Sequence, residues 1–225
     1  MEKCTFIMDY LRVTQGYGKY ESDRTDFTSY SHTGSYAVDL GGRDLGEDVA
    51  YAPCEVVVKR IYGAYNAVWF ESVNQVLCAD GKQRKLIFML LHINDEDMKK
   101  IGIFVGKVFK QGEVFYKEGS ASAIGSHIHL EVGEAPFQGT GWQKTPIKDR
   151  RGNLVWKINR QLRPHDVFIL PPKVVCLDEG GINWYKEDSR DESLQALMAE
   201  NAALKEKINY LSQVIEKINS IVDTL

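Results

Sequence analysis

The sequence predicts a mainly β protein, in which an antiparallel sheet domain is followed by a C-terminal α-helical coiled coil. Many short apolar runs are separated by turns that contain glycine, which favours an antiparallel sheet. From Leu194 onward the apolar positions instead step by alternating three and four residues, which is typical of a coiled coil. The 225 residues are 44% hydrophobic and 26% charged, a balance that excludes collagen-like, fibrous and wholly disordered proteins.

The predicted strands follow one another through the first two thirds of the chain. Residues 15–33 are rich in Gly, Ser, Thr, Asp and Tyr and are predicted to form a loop. A turn is predicted at 79–82 and a short helical turn at 95–101. Strands are predicted at 36–40, 49–61, 67–73, 85–92 and 128–132, with two short strands about Gln111-Gly112 within 107–116.

The later part of the body is less periodic. Residues 136–173 contain Trp142 and Trp156 in polar loop sequence and end in a segment, 162–169, that is expected to pack back on the body. Pro171-Pro172 marks the start of a linker. We therefore predict a first domain over 1–173, a linker over 174–192 and a coiled-coil helix over 193–225.

The C-terminal heptads predict self-association. The single polar a position is Asn201, and β-branched residues at a with Leu at d favour a parallel dimer. The alternative is one amphipathic helix that packs on its own domain, although such a helix usually has a wider apolar stripe. The a positions are Leu194, Asn201, Ile208, Ile215 and Val222, and the d positions are Leu197, Leu204, Leu211, Ile218 and Leu225.

Charge and cysteine content narrow the function classes. The 28 basic and 31 acidic residues give a net charge of −3, so there is no general bias toward nucleic acid or membranes. The four cysteines form no CxxC pair, which excludes a zinc ribbon and favours buried thiols in a reducing compartment. The sequence shows neither a signal-peptide pattern nor a transmembrane run, so we expect synthesis in the cytoplasm and no membrane span.

The histidines carry the functional signal. In Gly125-Ser-His-Ile-His-Leu-Glu131 two histidines are separated by one residue, so on a strand both imidazoles project from the same face. Upstream, His32 and Asp39 add another imidazole and a carboxylate. Two histidines and one carboxylate with an open fourth position make a catalytic zinc site. The sequence contains no HExxH helix, which excludes the zinc proteases that depend on that motif.

At these residues the chain resembles the lysostaphin-like zinc endopeptidases, which cleave bacterial peptidoglycan. The resemblance runs from about Gln15 to Gly133. The motifs that carry it are the segments 14–18, 32–39, 46–58, 89–93, 105–114 and 125–132 in this order. Any one of them alone would be a weak signal, but their ordered combination is specific.

The resemblance implies a Zn²⁺ cofactor held by His32, Asp39 and His129, with His92 and His127 as the catalytic pair. It further implies hydrolysis of peptidoglycan peptides in the cell wall. Because the sequence shows no signal peptide or membrane span, the expected setting is a phage endolysin, a virion-borne hydrolase or a bacterial enzyme with an unconventional export route. One departure concerns the six residues between His32 and Asp39, where the family usually has three. His32 must therefore project from a loop, or the strand must bulge.

Two residues are predicted to lie outside the catalytic site, and two alternative functions fit parts of the sequence. His165 matches no motif and is expected to be structural, and Tyr17 is expected at the surface. A cupin metal site could use His127, His129 and Glu134, but no downstream Pro-x-Gly-x-x-His segment follows. A second alternative is a catalytically degenerate family member that acts as a dimeric wall-binding or partner-binding module.

Overall fold

The computed structural model describes residues 1–17, 32, 35–44, 46–139, 142–148 and 154–187, together with positions 204, 205, 207, 208 and 211. The chain divides into two compact units, Met1–Lys186 and Glu187–Leu225.

The first unit consists of short strands with two short α-helices and one 3₁₀ turn at Ala64–Asn66. The helices are α1 (Asp95–Ile101) and α2 (Pro164–Val167). The strands are β1 (Tyr10–Gln15), β2 (Val38–Gly41), β3 (Val49–Tyr51), β4 (Val56–Tyr62), β5 (Ala67–Ser72), β6 (Val76–Leu77), β7 (Gln83–Arg84), β8 (Leu86–Leu91), β9 (Val108–Phe109), β10 (Val114–Lys117), β11 (Ile128–Glu134), β12 (Lys144–Lys148), β13 (Leu154–Ile158), β14 (Gln161–Leu162) and β15 (Val175–Asp178).

Most of the strands join one large sheet. Its order is β15-β1-β2-β11-β8-β5-β4-β9, and β14 pairs with β11 beside this path. Three two-stranded sheets, β10-β3, β12-β13 and β6-β7, complete the described architecture. Every described strand pair except β1 with β15 is antiparallel. The predicted mainly β character is therefore confirmed.

Strand alternation gives the large sheet two different faces. On β8 the residues Leu86, Phe88 and Leu90 point into the main hydrophobic core, whereas Ile87 and Met89 belong to a second, smaller cluster. On β11 the core residues are Ile128, Leu130 and Val132, so His129, Glu131 and Gly133 lie on the opposite side. We call the side that carries His129, Glu131, Met89 and Trp69 the site face of the sheet.

One predicted strand is divided in the structure. Residues 49–61 form β3 and β4, which belong to different sheets because β3 pairs with β10 and β4 pairs with β5. Pro53 lies in the break and has no backbone N–H to donate to a ladder. Its carbonyl instead accepts hydrogen bonds from the backbone N–H of Thr5 (3.0 Å) and the side chain of Gln111 (2.9 Å). This break lets the chain pass from one sheet to the other.

The first unit extends beyond the predicted boundary at residue 173. The segment predicted to begin a linker forms β15, which pairs in parallel with β1. Farther along, the Trp184 ring is 3% exposed and packs edge-on against Phe6, with ring centroids 5.6 Å apart. The predicted linker over 174–192 therefore begins too early, since its first half belongs to the sheet and core of the first unit.

We expect a chain ending at Pro172 to be much less stable than a chain ending at Lys186. The shorter chain loses the β15 ladder and the buried Trp184 ring, and removal of a buried tryptophan alone lowers the free energy of unfolding by about 3–5 kcal/mol. Urea unfolding of the two truncated chains measures the difference. Equal stabilities would show that residues 173–186 are dispensable.

Most of the predicted coiled coil lies outside the described residues. Leu204, Ile208 and Leu211 are described, are helical, and are 49%, 61% and 56% exposed. These three residues are predicted d, a and d positions. The remaining a and d positions, the parallel pairing and the dimer therefore stay predictions. Within the described part of the chain, no helix has the length and apolarity that a membrane crossing requires.

Candidate metal centre

The site is built where β2 and β11 run side by side. Asp39 and His129 are direct cross-strand partners in this pair. The Asp39 Oδ1 atom lies 2.9 Å from His129 Nδ1 and 3.2 Å from His32 Nε2. One ligand atom from each of the three residues lies within 4.8 Å of the other two, so together they could hold a metal ion.

His32 reaches this point from outside the sheet. It lies before β2, and its side chain is almost completely buried. Its Nδ1 donates a hydrogen bond of 2.8 Å to the carbonyl oxygen of Gly16, which directly follows β1. This bond fixes the ring so that Nε2 faces Asp39. The long spacing between His32 and Asp39 is therefore accommodated by a residue that precedes the strand.

The electrostatics of the centre favour a charged carboxylate. Burial alone would raise the pKa of Asp39, but hydrogen bonds from His129 and His32 hold it well below its ordinary value. Burial likewise opposes a charged His129, yet its contacts with Asp39 and Glu131 raise the pKa of His129 to about 9.

A second layer of polar residues orients His129. Glu131 lies two residues further along β11 on the same face, and its Oε1 is 3.2 Å from His129 Nε2. The other oxygen of Glu131 accepts a 2.7 Å hydrogen bond from Gln161, which also donates to the Ser35 hydroxyl. Such a carboxylate–histidine contact at Nε2 leaves Nδ1, which faces Asp39, as the ring nitrogen that could bind a metal. Neither Glu131 nor Gln161 was predicted as a site residue, although the two-residue spacing from His129 indicates Glu131.

His92 and His127 lie beside the three candidate ligands. The two rings are 4.6 Å apart between centroids, and His92 is 6.1 Å from His129 by the same measure. His127 Nε2 is 3.7 Å from Asp39 Oδ2. The structure thus brings together all five histidine and aspartate residues that the sequence predicted for the site.

The backbone holds His92 in an uncommon conformation. Its φ is +84°, its N–H donates to the Tyr65 carbonyl (2.8 Å), and its ring Nδ1 donates to the Ala121 carbonyl (2.8 Å). Gly119 approaches so closely that a Cβ there would overlap the His92 carbonyl oxygen. Burial lowers the pKa of His92 and so favours the neutral ring, in which Nε2 is available to accept a proton.

The donor set fits zinc. Two imidazole nitrogens and one carboxylate oxygen are the ligand types that catalytic zinc sites use, and they leave a fourth position for water or substrate. Each candidate histidine also donates its other ring N–H to an oxygen, from Gly16 for His32 and from Glu131 for His129. Among the described residues, these are the only three that meet as a possible metal-binding group.

The structure also tests the predictions for Tyr17, His165 and Glu134, three residues outside the proposed zinc site. Tyr17, expected at the surface, is only 2% exposed, so this prediction is wrong. Its hydroxyl is 2.8 Å from His165 Nδ1, which gives His165 a partner away from the centre and agrees with a structural role. Glu134, the third ligand of a cupin-type site, is outside the metal-binding group and lies 3.5 Å from the Arg84 guanidinium.

We expect Glu131→Gln to weaken zinc binding by roughly 10- to 100-fold, the usual effect of losing a partner of a metal-binding histidine. The amide keeps the shape of the side chain but loses the charge that orients and polarises His129. Competition with a chromogenic chelator measures the affinity. Glu134→Gln, on the same strand, is the matched control. Equal zinc affinities of the two variants would contradict a role for Glu131.

Comparisons with known proteins find curated relatives and several solved structures. No protein-family model matches the sequence. The chain is 31% identical over 197 residues to Morphogenesis protein 1 of Bacillus phage B103, and the match covers 86% of this chain and 47% of that protein. The chain therefore spans about half the length of this relative.

The similar solved structures have low sequence identity. One is the catalytic domain of the antimicrobial peptidase lysostaphin from Staphylococcus simulans, at 18% identity, with 59% of this chain and 87% of that chain covered and a TM-score of 0.37. Another is the catalytic domain of a variant of the prophage-encoded M23 protein EnpA from Enterococcus faecalis, at 17% identity, with 56% and 82% covered and a TM-score of 0.36.

Proposed function

We propose that the protein is a zinc-dependent endopeptidase that hydrolyses peptide bonds in bacterial peptidoglycan. The observation that carries this proposal is the meeting of His32, Asp39 and His129 within 4.8 Å, with His92 and His127 directly beside them. These are the five positions at which the sequence resembles the lysostaphin-like endopeptidases. A degenerate binding module is not favoured, because none of the five is replaced by a residue without the required chemistry.

The chain's own residues have distinct tasks in this proposal. His32 Nε2, Asp39 and His129 Nδ1 would hold the zinc ion, while Gly16 and Glu131 fix the two rings. A bound zinc ion would polarise the scissile carbonyl and lower the pKa of water to about 7. His92, whose Nδ1 proton is held by Ala121, accepts a proton at Nε2 from the attacking water and passes it to the leaving amine.

His127 has a different proposed role from His92, although both rings lie beside the candidate metal ligands. Its Nδ1 lies 3.3 Å from the Gly125 carbonyl, a longer contact than the 2.8 Å bond that fixes His92. The His127 ring is therefore less constrained, and with a proton on Nε2 it can donate to the carbonyl oxygen as negative charge develops there. In this assignment His92 acts as the base and His127 as the donor to the oxyanion.

We also propose a phage setting. The relative with 31% identity carries the name of a phage morphogenesis protein, which supports a phage origin. We propose that this wall hydrolase is delivered by a virion or released at lysis. In either case the protein would act on the bacterial cell wall after synthesis in an infected cell.

Digestion of purified peptidoglycans with different cross-bridges tests the proposed activity. We expect new amino termini to appear with the zinc-loaded protein, and mass spectrometry of the fragments identifies the bond that is cleaved. Removal of zinc by a chelator should abolish the release and re-addition should restore it. Peptidoglycan that stays intact with the zinc-loaded protein would contradict the proposal.

We further propose that the C-terminal helix forms a parallel dimer. Leu204, Ile208 and Leu211 leave about half of their surface exposed in a single chain, and burial against a second copy would contribute up to roughly 1.5–3 kcal/mol for each fully buried side chain. Sedimentation equilibrium should therefore show a dimer for the full chain and a monomer for the chain ending at Lys186. A full-length monomer at micromolar concentration would refute the coiled coil.

A further inference from the structure

A second recess lies on the site face of the sheet, at a distance from the metal centre. Its base is a cluster of apolar residues that includes Trp69, Met89, Phe137 and Trp142. Trp69 lies edge-to-face with Trp142 (centroids 5.0 Å apart) and tilted against Phe137 (5.3 Å). We call the recess lined by Trp69, Phe137 and Trp142 the aromatic cleft. It is a shallow surface recess, and the roughly 340 Å³ of empty space between its walls includes open solvent.

The rim of the aromatic cleft is polar. Gln143, Asn159 and Arg160 line it together with Glu134. Side-chain amides donate and accept hydrogen bonds at once, and the guanidinium and the carboxylate add one strong donor and one strong acceptor. An apolar aromatic base beneath a rim of this mixed type complements a ligand that has an apolar face and hydrogen-bonding groups around its edge.

We propose that the aromatic cleft binds an N-acetylated amino sugar of the glycan strand to which the cleaved peptide is attached. A pyranose ring presents polarised C–H groups on its face, which are attracted to the negative face of an aromatic ring, and its hydroxyl and acetamido groups point outward toward the rim. A purely aliphatic ligand would form no hydrogen bonds with the rim. This inference rests on the proposed function, because it names the part of the substrate that binds away from the cleaved bond.

The strand register places the cleft at a suitable distance from the metal centre. Glu131 pairs with Met89 and Met89 pairs with Trp69, so Trp69 is two strands away from β11. Two strand spacings separate Trp69 from β11 by about 10 Å, and the two residues from His129 to Glu131 add about 7 Å along the strand. Together these give a distance of roughly 12 Å between the His129 and Trp69 positions. An extended peptide rises about 3.4 Å per residue, so this span corresponds to three or four residues between the cleaved bond and the sugar.

The position of Trp142 in the cleft depends on a glycine in the neighbouring strand. A Cβ on Gly133 of β11 would overlap the Trp142 ring, so the absence of a side chain there lets the indole lie against the strand. The Trp142 Nε1 atom is buried and has no hydrogen-bond partner in the described part of the chain. An unpaired buried donor is unfavourable, and a shift of the indole on ligand binding would let it donate to an acetamido carbonyl.

Binding of a neutral chitin oligosaccharide to the metal-free full chain tests this inference without depending on hydrolysis. The probe is tri-N-acetylchitotriose, followed by NMR chemical-shift changes at the tryptophan indoles. We expect saturable binding that Trp142→Ala weakens at least about tenfold, equivalent to about 1.4 kcal/mol. Phe104→Ala, which removes a 58% exposed aromatic ring outside the cleft, is the matched control and should bind like the unaltered protein.

A second variant tests the cleft in case Trp142→Ala does not fold. Gln143 is exposed on the rim, so Gln143→Ala should keep the fold and still weaken binding of the sugar. Absence of saturable binding by the unaltered chain, or equal binding by Trp142→Ala and Phe104→Ala, would overturn the proposal. Binding of a sugar-free stem peptide that depends on Trp142, without binding of the sugar, would also overturn it and would assign the cleft to peptide.

Kinetics separate this inference from the proposed function. With the zinc-loaded protein, Trp142→Ala should raise KM for polymeric peptidoglycan and leave cleavage of a short free peptide unchanged. If the unaltered protein cleaves neither substrate but the sugar still binds at the cleft, the proposed hydrolysis fails while the sugar site stands. If both substrates are cleaved and Trp142→Ala changes neither KM, the sugar site fails while the hydrolysis stands.

Discussion

Asp39→Ala and His129→Ala are each expected to abolish tight zinc binding. Asp39 supplies the only carboxylate among the three candidate ligands, and its oxygen lies within 3.2 Å of ring nitrogens from both histidines. Its removal takes away a ligand and also leaves two neighbouring imidazoles without their anionic partner. His129→Ala removes a ligand and leaves the buried Glu131 facing an empty space. Because three protein ligands define a catalytic zinc site, two ligands should not retain the metal through gel filtration.

The matched control for these variants is His165→Ala. His165 is bound to the Tyr17 hydroxyl, so its loss leaves a buried phenol without this partner and should lower the free energy of unfolding by about 1–3 kcal/mol. It should nevertheless retain one zinc ion per chain. Elemental analysis of the purified variants gives the zinc content. Stoichiometric zinc in both ligand variants would show that these residues do not hold the metal.

The part of the site that lies on regular strands was predictable from the sequence. Side chains on a strand alternate with a period of two, so the spacing of His127 and His129 predicted that both rings project to one side. In the structure His127 forms an isolated bridge just before β11, and both rings lie against the Asp39 carboxylate. Glu131 follows the same rule and could have been added. Its role became evident only from its 3.2 Å contact with His129, since an acidic residue on a strand is by itself a weak signal.

Other features depend on contacts between distant segments, which local patterns do not encode. Nothing in the residues around His32 indicates that its ring would be fixed by the carbonyl of Gly16, 16 positions earlier in the chain. The burial of Tyr17 depends on His165, which lies 148 positions away. In the same way β15 has a polar, turn-rich neighbourhood in sequence and becomes a strand because β1 offers a free edge. Long-range partners of this kind override local propensity.

His92→Ala and His127→Ala are expected to separate metal binding from catalysis. Neither residue belongs to the group of candidate ligands, so both variants should retain zinc at the level of the unaltered protein. Each should lose peptidoglycan hydrolysis by roughly two to four orders of magnitude, the usual scale for removal of a general base or of a donor to an oxyanion. Measuring zinc content and the rate of release of new amino termini on the same preparation gives both quantities.

The two variants should also differ from each other if the proposed roles are right. The short bond from His92 Nδ1 to Ala121 fixes Nε2 as the acceptor, whereas His127 has only a 3.3 Å contact at its Nδ1. A small external amine such as imidazole can replace a missing base, so it should restore part of the activity of His92→Ala and less of that of His127→Ala. Loss of zinc from either variant would show that the substituted residue is a zinc ligand. Normal cleavage by both would contradict the peptidase mechanism, because no other described imidazole lies as close to the candidate ligands.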